Sequence, residues 1–270
     1  MKTALNQMTT PTLPFAAFLD LAASLGCVGV EARNDLGRPL FDGAAPAEAG
    51  AMVRDRGLRL LGVSQVYPFN AWSDAIAAEV AQLIAAAGAA GGETVSLIPR
   101  NDGTETGEAE RRANLARALA GAKPLLADAG MVALVEPLGF PRSSLRSKAE
   151  LVAAIDAIDG RGVFRLVHDT FHHTLAGGGA MFPKLTGIVH ISGVVAGLPT
   201  DRMEDEHRVL VDAGDRLGNV EQIAALRAAG YDGAFSYECF SPEIHALADP
   251  ATALRASFDF LEAQLTTQAA

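Results

Sequence analysis

Apolar runs punctuate the chain from end to end, each short and rich in Val, Ile and Leu. Each is followed by an Ala-rich stretch with helical spacing and then a Gly-containing turn. Eight such runs stand out: Ala4–Met8, Cys27–Arg33, Leu58–Val66, Thr94–Pro99, Val132–Leu138, Phe164–Thr170, Ile188–Val194 and Ala234–Phe240. The intervening helical segments fall at 14–25, 46–56, 73–90, 107–129, 147–158, 178–186, 219–229 and 250–265. Gly26, Gly57, Gly130 and Gly230 each sit between the end of a helix and the start of a strand, where glycine closes a helix in the left-handed conformation. The strands are continuously apolar, as parallel strands covered on both faces are.

Strand–helix alternation allows a closed barrel or an open doubly wound sheet. The loop after the first strand reads MTTPTLP and lacks the G-x-G-x-x-G of a dinucleotide-binding sheet. Gly177-Gly178-Gly179 follows a strand but has neither that spacing nor the downstream acid, and reads as a simple loop or a flexible active-site turn. Eight units in 270 residues match the size of a single (β/α)₈ TIM barrel, so residues 1–270 are read as one α/β domain.

Composition narrows the function more than the fold. A net charge of -10 argues against nucleic-acid and anionic-membrane partners, although it leaves room for a local basic pocket. With two cysteines, Cys27 and Cys239, both in apolar strands, no disulfide framework is expected. The N-terminal residues lack the apolar core of a secretory signal and no apolar run reaches membrane-spanning length, so a cytoplasmic, soluble protein is expected.

Polar residues inside or ending apolar strands are the candidates for chemistry, because a barrel builds its active site at the C-terminal ends of its strands. Strand 5, VALVEPL, carries Glu136; strand 6, FRLVHDT, carries Asp169; strand 7, IVHISGV, carries His190; strand 8, AFSYECF, carries Glu238. Three carboxylates buried close together repel one another and lose solvation unless a cation neutralises them. The four side chains are therefore read as ligands of one divalent metal, Mn²⁺, Mg²⁺, Co²⁺ or Zn²⁺. His172, three residues beyond Asp169, can reach the same pocket, whereas His173 reads as exposed or packing and His168 as a core histidine turned toward the helices. Asn6, Glu31, Arg33, Gln65, Tyr67, Asn70 and Trp72, at or after the earlier strands, are candidates for substrate binding.

With these residues placed, the chain resembles the xylose isomerase-like superfamily of sugar isomerases and epimerases, and within it inosose (2-keto-myo-inositol) isomerase and the ketose 3-epimerases. The resemblance rests on ALNQMTT, GVEARNDL, VEPLG, HDTFHH, VHIS, EDEHRV and SYECFSPE, taken in order. It implies that Glu136, Asp169, His190 and Glu238 hold the metal and that Glu136 and Glu238 also transfer the proton. It further implies that His172 contacts substrate oxygen, and that Arg208 is the arginine of the loop after strand 7. The resemblance further implies a cytoplasmic enzyme of carbohydrate metabolism with a role in inositol catabolism, acting on a small keto-polyol or sugar through a cis-enediolate and assembling as a homodimer or homotetramer. Metal-dependent dehydratases or decarboxylases of keto-acids share that intermediate and are the nearest alternative. An endonuclease-like phosphodiesterase or a non-catalytic sugar-binding barrel fits less well, for want of a basic groove in the first case and because both bases are present in the second.

Overall fold

The computed structural model describes residues 1–268 and is a closed barrel of eight parallel strands. The strands are β1 (Thr3–Asn6), β2 (Gly29–Arg33), β3 (Arg59–Val66), β4 (Thr94–Leu97), β5 (Val132–Val135), β6 (Phe164–Asp169), β7 (Thr186–Ile191) and β8 (Phe235–Tyr237). They pair in sequence order, and β8 closes on β1. A two-stranded antiparallel ribbon, Gly193–Val194 with Arg208–Val209, stands on the loop after β7. Helices α1 (Phe15–Ser24), α2 (Pro46–Arg54), α3 (Asp74–Ala90), α4 (Glu108–Ala129) and α5 (Lys148–Ala157) follow β1 to β5. They are succeeded by α6 (Thr170–Leu175), α7 (Asn219–Ala228), the short α8 (Pro242–His245) and α9 (Pro250–Gln268).

All eight expected strands are present and so are seven of the eight expected helices. The four glycines read as helix terminators all have positive φ, from 62° at Gly130 to 91° at Gly230. The exception is the helix expected over 178–186, a segment with no helix. The helix of that unit comes earlier, as α6, because Asp169 caps it directly: its Oδ1 accepts the amide of His172 at 2.8 Å. Gly177, Gly178 and Gly179, with φ of 89°, 78° and 108°, then turn the chain away. Cys27 and Cys239 are buried free thiols, as expected. Among the described residues no helix is long and apolar enough to cross a membrane.

Two apolar layers hold the barrel. The larger lies between the strands and the surrounding helices, with Phe15, Phe18, Leu119, Phe164, Phe235 and Leu261 among its members. The smaller one, Ala4, Leu61, Leu134, Val167, Ile188 and Ala234, fills the barrel floor. Alternation explains the second: Leu134, Val167 and Ile188 each stand two residues before Glu136, Asp169 and His190, on the same inward face and one layer deeper. The floor therefore supports the polar layer above it. Ile188→Ala should destabilise the chain by about 2–4 kcal/mol, measured by denaturant unfolding. A loss well under about 1 kcal/mol would show that the floor is loosely packed.

Candidate metal centre and substrate cavity

Glu136 follows β5 directly, Asp169 ends β6, His190 is the penultimate residue of β7 and Glu238 follows β8. Each offers one ligand atom, and these four atoms lie within 4.8 Å of one another, all buried. His190 Nδ1 is 3.3 Å from Glu238 Oε2 and 3.7 Å from Glu136 Oε1. Neither His190 Nδ1 nor Glu136 Oε1 has a hydrogen-bond partner, so both are buried polar atoms directed at the cluster and otherwise unsatisfied. The opposite ring nitrogen, His190 Nε2, lies 3.0 Å from Glu31 Oε2. An imidazole held by a carboxylate on one nitrogen and free on the other is the arrangement of a metal-ligating histidine. The donor set and its orphaned atoms fit a single divalent cation.

Two guanidiniums close the cluster. Arg208 donates to Asp169 Oδ2 at 2.5 Å and approaches Glu238 Oε2 at 3.2 Å, and its Nε donates to Ser192 Oγ. Arg33 donates to Glu238 Oε1 at 2.6 Å and grips Asp35 through Nε and Nη2. Phe240 packs near both cations, with the Arg208 and Arg33 guanidinium carbons 4.9 and 5.7 Å from its ring centre.

The charges set the protonation states apart. Burial pushes the Glu136 carboxyl up, with the Glu238 charge adding to the effect. Burial acts on Glu238 in the same sense, but His190, Arg208 and Arg33 outweigh it and hold that carboxyl well below its ordinary value. Burial disfavours the His190 imidazolium, yet Glu31, Glu238 and Glu136 raise its pKa well above the ordinary histidine value.

A cavity of about 230 Å³ opens over the cluster. Arg33, Gln65 and Tyr67, read from sequence as substrate contacts, line it together with Glu136, His172, His190, Arg208 and Glu238. His172 is wedged edge-on against Phe140 and Phe171 and faces Asp205 at 3.9 Å. Four of the candidate substrate contacts are not among the lining residues. Glu31 stands behind His190, fully buried. Asn6 caps the turn after β1 through Met8 N. Asn70 binds Arg100 N and Ser144 Oγ. Trp72 packs on α4, where a Cβ at Gly121 would stand 2.2 Å from its ring. Asp35, Asp205 and Phe240 line the cavity and escaped the sequence reading. Asp35 and Asp205 lie in the quoted GVEARNDL and EDEHRV segments, where acidic residues in strand-end loops were the available signal.

A family model described as xylose isomerase-like TIM barrel matches residues 19–264. The chain belongs to that family. Among solved barrels, a xylose isomerase domain-containing protein from Salmonella typhimurium LT2 is 27% identical, with a TM-score of 0.87 over 98% of this chain and 97% of its own. A second, the IolI protein with a bound zinc atom, is 18% identical, with a TM-score of 0.86 over 99% of both chains. An L-ribulose 3-epimerase is 18% identical, with a TM-score of 0.74 over 98% of this chain and 94% of its own. No curated protein matches the chain by sequence.

For this xylose isomerase-like barrel, two outcomes follow from the cluster. A metal ligand must be a neutral imidazole, and the raised pKa of His190 means that it carries a proton at neutral pH when no metal is present. Metal uptake should therefore release about one proton per site and tighten as pH rises. Calorimetric titration with Mn²⁺ or Zn²⁺ in buffers of different ionisation enthalpy reads this directly; uptake without proton release would mean that His190 is not a ligand. Glu31→Gln should weaken metal affinity about 10–100-fold without changing the fold. Unchanged affinity in that variant would reduce the Glu31–His190 contact to packing.

Proposed function

We propose that the chain is a divalent-metal-dependent isomerase or epimerase of a small, uncharged keto-polyol or keto-sugar, of the inosose isomerase type. The observation that carries this reading is that two buried glutamates, Glu136 and Glu238, meet in one cavity as members of a four-residue donor set. Separated carboxyl pKa values are how one site supplies both an acid and a base.

Glu136, Asp169, His190 and Glu238 would hold the metal, which when bound supplies Lewis-acid polarisation of a carbonyl. Glu238, kept ionised by His190, Arg208 and Arg33, removes the proton from the carbon α to the substrate carbonyl. Arg208 lines the cavity and, although paired with carboxylates, adds positive potential where negative charge would develop on the substrate oxygen. Glu136, whose carboxyl binds a proton more readily, sits across the cluster and returns one. Delivery to the neighbouring carbon gives isomerisation, and delivery to the opposite face of the same carbon gives epimerisation. His172 is placed to hold a substrate hydroxyl at the cavity wall.

Size and charge define the substrate class. At about 230 Å³ the cavity is smaller than the pockets of about 300–1,000 Å³ that hold drug-sized ligands, which suits a single sugar or cyclitol ring. Both guanidiniums in it are already paired with carboxylates, so neither is free for a phosphate or carboxylate of the substrate. The fold shared with an L-ribulose 3-epimerase is consistent with this chemistry.

Incubating the metal-loaded protein with a panel of inososes and ketohexoses in D₂O should place solvent deuterium on the carbon α to the carbonyl, read by NMR. Products of unchanged mass apart from the label separate isomerisation from dehydration or decarboxylation. Glu238→Gln should retain measurable metal binding and lose about 10²–10⁴ of the exchange rate. Near-normal turnover by that variant would end the two-glutamate mechanism, and no exchange with any member of the panel would end the proposed reaction class.

A further inference from the structure

The glycine triplet after α6 takes no part in the chemistry above, yet it borders a second cavity of about 320 Å³ on the far side of His172. This cavity differs in charge from the first. No acidic residue lines it, whereas Lys148, Arg146, His172 and His173 do. Among the described residues no carboxylate pairs with Lys148 or Arg146. The Arg146 guanidinium is spent on the carbonyls of Gly139 and Leu175, so its charge stays uncompensated. Lys148 is more than nine-tenths buried, and of its three ammonium donors one is used, on His173 Nδ1 at 2.9 Å. Among the described residues its other two N–H groups have no acceptor.

The remaining geometry supplies more donors. His173 accepts the lysine proton on Nδ1, so a neutral ring carries its hydrogen on Nε2. Burial, followed by the Lys148 charge, pushes the His173 pKa down to about 4, which keeps it neutral. Nε2 faces the glycine turn, 4.0 Å from where a Cβ at Gly178 would stand, and the triplet leaves that space open. Ser147, Lys148 and Ala149, the cap and first two residues of the ten-residue α5, also line the cavity. Their first-turn amides have no helical carbonyl to receive them, and the helix dipole adds partial positive charge. His172, also more than nine-tenths buried, lines both cavities, and its Nδ1 has no partner.

We propose that this chamber is a binding site for a phosphate-sized oxyanion, held by the Lys148 ammonium, the His173 Nε2–H and the first-turn amides of α5. It is separate from the substrate cavity, where every guanidinium already has a carboxylate. Burial presses the Lys148 pKa down to about 8 against the opposing pull of Asp169 and Glu136, neither of which pairs with it directly, and an anion in the chamber would supply that direct countercharge.

The test follows the histidine side-chain resonances of the full chain by ¹H–¹⁵N NMR at constant pH and ionic strength. One arm is titrated with inorganic phosphate and the other with fructose 6-phosphate. The His173 signals should shift saturably, while those of His245, elsewhere on the barrel, should not. Lys148→Met should weaken binding about tenfold or more. Phosphate should also shield Lys148 of the unmodified protein from acylation, read by mass spectrometry, which decides the matter if the variant does not fold. Equal affinity in the two arms assigns the site to the free anion; tighter binding of the ester with a concurrent shift at His190 assigns it to a phosphorylated ligand spanning both cavities. The absence of saturable shifts at His173 in both arms, or undiminished binding by a folded Lys148→Met, overturns the proposal.

Discussion

Everything at the C-terminal end of the barrel depends on how four buried carboxylates are kept in one place. Glu31, Glu136, Asp169 and Glu238 are each at most 4% exposed, and three cations, Arg33, Arg208 and His190, are buried among them. Taking such charges out of water is costly, and their mutual attraction offsets that cost only where geometry is tight and further hydrogen bonds are made. The ion pairs of 2.5 and 2.6 Å at Arg208–Asp169 and Arg33–Glu238 meet that requirement. They leave one excess negative charge within the set, with Asp35 and Asp205 adding more at the rim. A divalent ion that displaces the single proton of His190 moves the balance toward neutrality. Affinity for such an ion and the stability of this end of the barrel would then be two readings of one excess negative charge.

Arginine, and not lysine, is the cation this arrangement needs. Arg208 turns Nη2 to both Asp169 and Glu238, Nη1 to Asp205 and Nε to Ser192, while its guanidinium carbon lies over the rings of Phe171 and Phe240. A lysine ammonium presents a point charge and has no face to stack, so it would satisfy part of the set and leave the aromatic walls unsupported. Phe240 is approached by both Arg208 and Arg33, which ties the loop after β8 to the end of β2 across the mouth of the barrel.

The legibility of these features in the sequence follows from strand geometry. A carboxylate in an apolar run stands out, and alternation assigns it a face, so Glu136, Asp169, His190 and Glu238 could be read without a structure. Alternation says nothing of depth. Glu31 has the same inward face as the candidate ligands, but depth in a barrel is set by the stagger of neighbouring strands, and the β2–β3 register shifts at that residue. It therefore ends behind His190 instead of beside a substrate. Asn70 and Trp72 lie beyond β3 in a loop, where no period fixes direction, and each was claimed by local structure: Asn70 by the β4–α4 loop, Trp72 by α4. The helix misplaced to 178–186 was lost to a different effect, since the capping power of Asp169 was hidden by its reading as a ligand.

Asp169 shows why such double duty has consequences. Its Oδ1 caps α6 at the amide of His172 while its Oδ2 receives Arg208. The first turn of α6 also carries Phe171, on which Arg208 stacks, and His172, which walls the substrate cavity. Any change in the carboxylate's orientation therefore moves the helix start, and with it the histidine that separates the two chambers. His173, which meets Lys148 at the second chamber, stands on the same short helix. The six residues of α6, capped by a candidate metal ligand and followed by three glycines, are thus the element on which both chambers are built.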